Sequence, residues 1–429
     1  MGAEAANHWA LTSGETFEAP KLTGDVAADV AIVGGGILGL STALALAEAG
    51  VSVVLVEASK VAHGASGRNG GLVVPSLPRV SPQGAVAALG ADGERLVAMV
   101  ARGADTVFEL IARHGIQCDA VQSGWLNPAH APSLVAGLAA RHAAWKAAGA
   151  NVTLLDAGET RARLGSARYH GAILDRSGGH LNPAAYSRGL ARAAVAAGAG
   201  IFEESPARAI IAADGGWVVE TPGGTVRAAT LLQATNAQPA GLADADAETI
   251  VPLIVYQMVT NILSPEQRAS VLPGGEAMSD TRNNLFSLRW TADGRLGTGG
   301  MAPLTQLGGA ARVARTAERR LAAIFPVLEG TTIARTWTGK ASLTGDFLPR
   351  VMTLGPRRYS VVACNGRGLV LTTNLGRALA AAFAAGRDAP LPLAARPPRP
   401  IRARALAARV PQLLLPLGSL ADARAEWRG

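Results

Sequence analysis

Three glycines, Gly34, Gly36 and Gly39, and one carboxylate, Glu57, carry the first chemistry legible in this chain. The Gly-x-Gly-x-x-Gly spacing follows a short apolar β-type run over 29–33 and opens an Ala/Leu-rich helical pattern at Ile37 and Leu38, which Gly50 ends. Gly34 permits a tight turn, Gly36 lets a pyrophosphate approach the backbone, and Gly39 lets the helix pack closely on the strand. Phosphates then sit at the positive end of the helix. Residues 51–56 read as a second strand closing on Glu57 and Ala58, and the Glu57 carboxylate is placed to accept both ribose hydroxyls of an adenosine. The glycine pattern alone fits a coincidental turn, but strand, helix and acid all fall where a dinucleotide site needs them.

Other short stretches must lie near such a ligand. Residues 61–71, Val-Ala-His-Gly-Ala-Ser-Gly-Arg-Asn-Gly-Gly, are too glycine-rich for regular structure, and so small a loop can lie flat against a planar ring system. Near the C-terminus, Asn365-Gly-Arg-Gly368 stands at a strand-to-helix junction, with Leu369 opening the helix. No Ser-His-Asp arrangement or metal-ligand cluster is legible.

Composition bounds the rest. A chain of 429 residues holds two domains with sizeable cores. The net charge of +8 invites a nucleic-acid reading, but the arginines are dispersed, only four lysines occur (Lys21, Lys60, Lys146, Lys340), and no basic run interleaves with aromatics. No nucleic-acid partner is expected. Two cysteines, Cys118 and Cys364, argue against a disulfide framework and for a reducing compartment. No secretory signal and no apolar run of roughly 18–20 residues is found, so the expected location is cytoplasmic, with no transmembrane segment.

The elements follow from periodicity. Asn7, His8 and Trp9 read as an arm folding back on the body, with Trp9 its anchor. Residues 82–149 are mostly helical around a strand-like interruption at 124–128. Short strands are expected over 200–232 with a Gly-Gly hairpin at 223 and 224, and the run to Ala234, Thr235 and Asn236 is a buried strand that exits into polar residues. Residues 251–301 alternate as a second, antiparallel sheet carrying Tyr256 and Arg289 on separate strands. A helix over 310–324 and a strand, strand, helix series over 335–344, 359–364 and 369–385 complete the body. The proline-rich tail beyond Pro397 is expected to wrap the surface.

These residues resemble the glycine/D-amino-acid oxidase superfamily of flavoproteins, and most closely its gamma-glutamylputrescine oxidoreductase-like branch. The resemblance rests on the Asn-His-Trp arm, the opening unit with Glu57, Gly64-Ala-Ser-Gly-Arg-Asn-Gly-Gly71 and Gly179-His-Leu-Asn-Pro183. Ala234-Thr-Asn-Ala237, Trp337-Thr-Gly339, Thr344-Gly-Asp346 with Pro349, and Asn365-Gly-Arg-Gly368 complete it. It implies FAD and an α/β fold of D-amino-acid oxidase (glutathione-reductase-2) type. A Rossmann-like FAD-binding domain would comprise 1–84, 183–240 and 335–396, a mostly antiparallel-sheet substrate domain 85–182 and 241–334, and a tail 397–429. The implied reaction is oxidation of a primary or secondary amine or amino acid, by hydride transfer to flavin N5 and hydrolysis of the imine, with oxygen as acceptor. An amine or D-amino-acid dehydrogenase feeding a quinone or carrier protein, and a flavin-binding subunit without turnover, are the alternatives. A nicotinamide-only enzyme would leave the Arg-Asn-Gly-Gly loop and the terminal Asn-Gly-Arg-Gly helix without a ligand.

The resemblance also assigns residues. Ser66, Gly67, Arg68, Asn69, Gly70 and Gly71 belong to the loop beside the isoalloxazine, Ala207 joins the dinucleotide site, and Gly339 faces the ring. Gly366 and Gly368 aim backbone N–H groups at the flavin N1/C2=O edge; Arg367 adds charge there, faces solvent or pairs with a carboxylate. His63 reads as a loop residue and Gly339 stands where some relatives carry an attaching Cys, so FAD is expected to be non-covalent. Arg289 is the candidate to hold a substrate carboxylate, with Tyr256 lining the same pocket, or both are ordinary sheet residues. Trp337 is a substrate wall or core, and Lys340 holds the water of oxygen activation. Relatives take that lysine from another strand, near Leu296 and Gly297 here, where this chain has none. His180 is read as a structural turn residue and Cys364 as packed near the flavin.

Overall fold

Residues Val26–Val33 form a strand whose last four side chains are all buried, and Val53–Val56 is buried throughout. Continuous apolar runs of this kind belong to parallel strands covered on both faces. The two pair in parallel, and the connecting helix Ile37–Glu48 is apolar nearly all round because it too is enclosed. The structure, a computed structural model, describes residues 7–236, 242, 245–284, 286–301, 309–362, 365–386, 389–407 and 410–427.

Two eight-stranded sheets carry the chain. In the first, Arg358–Val362, Gly224–Gln233, Val26–Val33, Val53–Val56 and Gly200–Phe202 lie side by side and parallel. Arg350–Gly355 closes the edge antiparallel, and Ala209–Ala213 and Gly216–Thr221 add a hairpin onto Gly224–Gln233. Helix Gly368–Ala384 packs on Ile37–Glu48 so closely that a Cβ on Gly376 would stand 2.7 Å from the Leu38 carbonyl oxygen, and Thr42 Oγ1 donates to Gly376 O at 3.1 Å. The longest helix, Ala91–His114, crosses the same bundle, where Asn374 Nδ2 donates to Gly103 O.

The second sheet runs Ile333–Leu343, Val251–Thr260, Leu296–Met301, Ser287–Trp290, Ala277–Ser279, Trp125–Pro128, Ala172–Asp175, Val152–Leu155. All its pairings are antiparallel except that of Ala277–Ser279 with Trp125–Pro128. Its far side packs its own core, around Leu288, Leu296, Leu321 and Phe325.

Two expectations need correction. The strand expected with the dinucleotide unit from residue 335 is an edge of the second sheet, paired along nearly its whole length with Val251–Thr260. The tail does not simply wrap the surface: Val410–Trp427 is helical despite Pro416 within it. Burial of Leu415 and Asp422 against the body offsets the cost of an interior proline. Cys118 is a buried thiol pushed up to about 12 by burial, inert rather than reactive; Cys364 lies outside the described residues. No helix among the described residues is long and apolar enough to cross a membrane.

Candidate active site

The glycine unit has the geometry its spacing demands. Gly34 has φ +113°, and a Cβ there would stand 2.9 Å from the Ala234 carbonyl oxygen. A Cβ on Gly39 would stand 2.2 Å from Gly34 O, so only glycine lets the helix meet the turn. Gly36 is the helix N-cap, has no side-chain cap, and faces Ser66, whose Oγ accepts from the Ile37 N–H at 3.0 Å. The Glu57 carboxylate accepts from Gly35 N–H at 2.6 Å and Ser59 N–H at 2.9 Å. With about four lone-pair positions on a carboxylate, two remain for ribose hydroxyls.

One cavity of about 1540 Å³ begins at this helix N-terminus. Of the expected cofactor residues, Gly36, Ile37, Leu38, Ser66, Arg68, Asn69, Gly70, Ala234, Asn236, Gly339, Asn365, Gly366, Arg367, Gly368 and Leu369 line it. Gly34, Gly39, Glu57, Ala58, Gly67, Gly71, Ala207 and Thr235 stand behind that lining or beyond its end. Helix Gly368–Ala384 also opens on the cavity, without a side-chain cap, so two positive helix ends address one space. Asn365, at φ +40°, uses Oδ1 to accept from Thr344 N–H at 2.8 Å, and its buried Nδ2 has no partner. The Asn69 side chain ties its own loop together, donating to Ala65 O and Ser66 O and accepting from Gly71 N–H.

Arg289 and Trp337 do not line the cavity. Both lie beneath the 65–71 loop. Arg289 Nε donates to Gly70 O at 2.7 Å, its guanidinium stacks 4.0 Å from the Trp9 ring centre, and a Cβ on Gly71 would stand 2.7 Å from its Nη2. Trp337 Nε1 donates to Arg68 O at 2.9 Å, and the Trp9 ring meets it edge-on at 5.4 Å. Trp9 in turn donates to Asn69 O at 2.7 Å. These side chains prop the loop from behind, and burial holds the Arg289 guanidinium down to about 9. Tyr256 is likewise absent from the lining, because strand alternation turns it to the face opposite Val255 and Gln257, which do line the cavity. Lys340 is exposed and lines it beside Gly339. His180 is buried against Gly275 O at 3.2 Å, away from the cavity.

Sequence reasoning missed the floor. One rung of the second sheet joins Gln257 to Gly299, Gly299 to Ser287 and Ser287 to Ser279, and all four line the cavity. Asn127 Nδ2 donates to Ser279 O at 2.5 Å, and Arg141, from helix Val135–Ala147, donates to Asn127 Oδ1. Leu415 and Gly418 of the C-terminal helix complete a wall. Gln257 was one residue from the Tyr256 singled out; strand parity against Val255 is the signal that finds it.

The fold and cavity define a two-sheet protein in which a glycine unit of dinucleotide-binding type opens a cavity that continues onto a separate sheet. Residues 29–382 match the family model described as FAD dependent oxidoreductase, and the chain belongs to that family. It is 33% identical over 387 residues to the gamma-glutamylputrescine oxidoreductase of Escherichia coli K12, covering 89% of each chain. Among solved structures it resembles glycine oxidase from Geobacillus kaustophilus (TM-score 0.67, 22% identity, 84% of this chain and 95% of that one). It also resembles the L-amino acid deaminase of Proteus myxofaciens (TM-score 0.71, 18% identity, 88% and 95%). The protein is thus an FAD-dependent oxidoreductase. Its residues fit that cofactor: the glycine cradle leaves no room for a Cβ at Gly34 or Gly39, Glu57 keeps lone pairs for the ribose, and the cavity exceeds the roughly 300–1,000 Å³ of an ordinary ligand site.

Proposed function

We propose that this protein oxidises a primary or secondary amine or amino acid, with non-covalent FAD as cofactor and oxygen as acceptor. The observation that carries the reading is the continuity of the cavity from the two helix N-termini to the polar floor at Gln257, Gly299 and Ser287. The name of the gamma-glutamylputrescine oxidoreductase relative supports an amine as the oxidised group.

Bound FAD supplies the hydride acceptor for the carbon bearing nitrogen, and water hydrolyses the resulting imine to a carbonyl compound and an amine. The residues of the chain have four tasks. Gly36 and Ile37 would hold phosphate at a helix N-terminus, and Glu57 the ribose. The open end of Gly368–Ala384 would favour negative charge on the ring edge it faces. Leu253, Val255, Met301 and Ala341 make the floor partly apolar, and Lys340 adds a positive neighbour. Desolvation and that charge both favour a substrate amine in its neutral form, the form able to release hydride. The carboxamide of Gln257, which makes no hydrogen bond to other described side chains or backbone groups, would orient the nitrogen.

The reading is tested by supplying amines to the air-saturated holoenzyme. Oxygen uptake, hydrogen peroxide and carbonyl product should appear in equal amounts. Product formed only when a quinone or dye is added would replace oxidase by dehydrogenase.

A further inference from the structure

The C-terminal segment carries an apolar surface that the amine chemistry does not use. Of the eleven large apolar side chains exposed among the described residues, four fall close together in the chain: Leu406 (63%), Val410 (40%), Leu417 (62%) and Leu420 (57%). On helix Val410–Trp427, Val410, Leu417, Leu420 and Arg424 follow one another at intervals of seven, three and four residues and so share one stripe. The opposite side is docked, with Leu415 buried and Asp422 accepting from the Asn283 backbone and side chain. Helix Arg404–Ala407, which bears Leu406, lies against that helix, and Arg404 Nε ties it to the body by donating to Ile250 O at 3.1 Å. The segment is thus anchored, with these four side chains left outside.

Charge gathers on the same segment. Residues 397–429 contain six arginines and no lysine, against one aspartate and one glutamate. Both acids are committed to the body, since Asp422 is buried and Glu426 pairs with Arg282. Arg399, Arg402 and Arg424 are exposed and make no ion pair with a described residue. Leucines exposed among uncompensated arginines need a partner that is apolar and anionic at once. A second copy set face to face would bring arginine against arginine. A nucleic acid would leave the leucines wet, and no Phe, Tyr or Trp stands between residues 384 and 426 to stack on bases. An anionic bilayer supplies both needs, with headgroups for the arginines and acyl chains beneath them for the leucines.

We propose that this face of the C-terminal segment docks on an anionic lipid surface. The helix would lie in the interface rather than cross it, as no helix among the described residues is long and apolar enough to span a membrane. Val410 and Leu417 also line the cavity, whose mouth would then open beside the bilayer.

The test is co-sedimentation of the holoenzyme with vesicles of phosphatidylcholine alone and of phosphatidylcholine containing about one-third phosphatidylglycerol. Because the readout is lipid binding, it does not depend on amine turnover. Affinity for the anionic vesicles should exceed that for the neutral ones by at least about tenfold at low ionic strength, and should fall as salt is raised. Neither Leu406 and Leu420 nor Arg399 and Arg402 line the cavity. Leu406→Ser with Leu420→Ser should weaken binding by at least about tenfold, as should Arg399→Gln with Arg402→Gln, with retained flavin absorbance establishing that each variant is folded. Failure of the wild type to bind anionic vesicles, or equal binding to neutral ones, overturns the proposal. So does a leucine variant that binds as the wild type does, because adsorption would then be electrostatic and not seated on this face. A wild type that sediments as a dimer without lipid, and that the leucine substitutions turn into a monomer, would make a second copy the occupant and overturn it as well.

Discussion

In the proposed reading, Glu57 is the residue on which adenosine recognition turns. Its two oxygens already accept from Gly35 and Ser59 N–H groups, so Glu57→Gln both removes charge and sets an amide donor against a backbone donor. FAD affinity should fall by about 2 kcal/mol, roughly 30-fold, measured by flavin fluorescence on titrating the apoprotein; unaltered affinity would remove Glu57 from the site. His180 gives a pH dependence. Burial first, then Arg289, holds its imidazole down to about 3 against an ordinary 6.5. The unfolded chain therefore takes up a proton between pH 6.5 and 3 that the folded one refuses, and stability is lost as pH falls through that window, by about 2 kcal/mol at pH 5. Asp175 opposes it: burial raises its carboxyl to about 6, a contribution lost as pH rises through 6. Comparing His180→Gln with wild type isolates the histidine, and the variant should lose less melting temperature between pH 7 and 5. The glycines and Glu57 were legible because their physics is local. Arg289 and Trp337 were not: a loop more than two hundred residues away in sequence covers them, and no spacing rule reports that.

Elements divide along the same line. The strand, helix, strand opening and the helix at Gly368 could be read from apolar runs and punctuating glycines. Strand Ile333–Leu343 looked like a partner of the dinucleotide sheet because the sequence lists strands without saying which edge each will join. The C-terminal helix was hidden by prolines whose cost is met by docking: Asp422 accepts from the Asn283 backbone and side chain, and Leu415 is buried. Because this helix lines the cavity but contributes none of the expected cofactor residues, removing residues 410–429 should leave flavin content intact and raise KM for the amine by about tenfold. Flavin-to-protein ratio and KM measured on the truncated chain decide it; loss of flavin would place the helix in the cofactor site.

At the scale of the whole molecule, one sheet carries the glycine unit, a second provides the floor, and a single cavity runs from one to the other. A net charge of +8 finds a local use there, since five arginines and a lysine line the cavity against one aspartate among the described residues. The measurement that bears most directly on amine oxidation is an anaerobic absorbance titration of the holoenzyme with amines, N-methyl amino acids and D-amino acids, followed by admission of air. Bleaching of the flavin band by an amine, with recovery in air, is the predicted result; a bound flavin that no amine bleaches would contradict it.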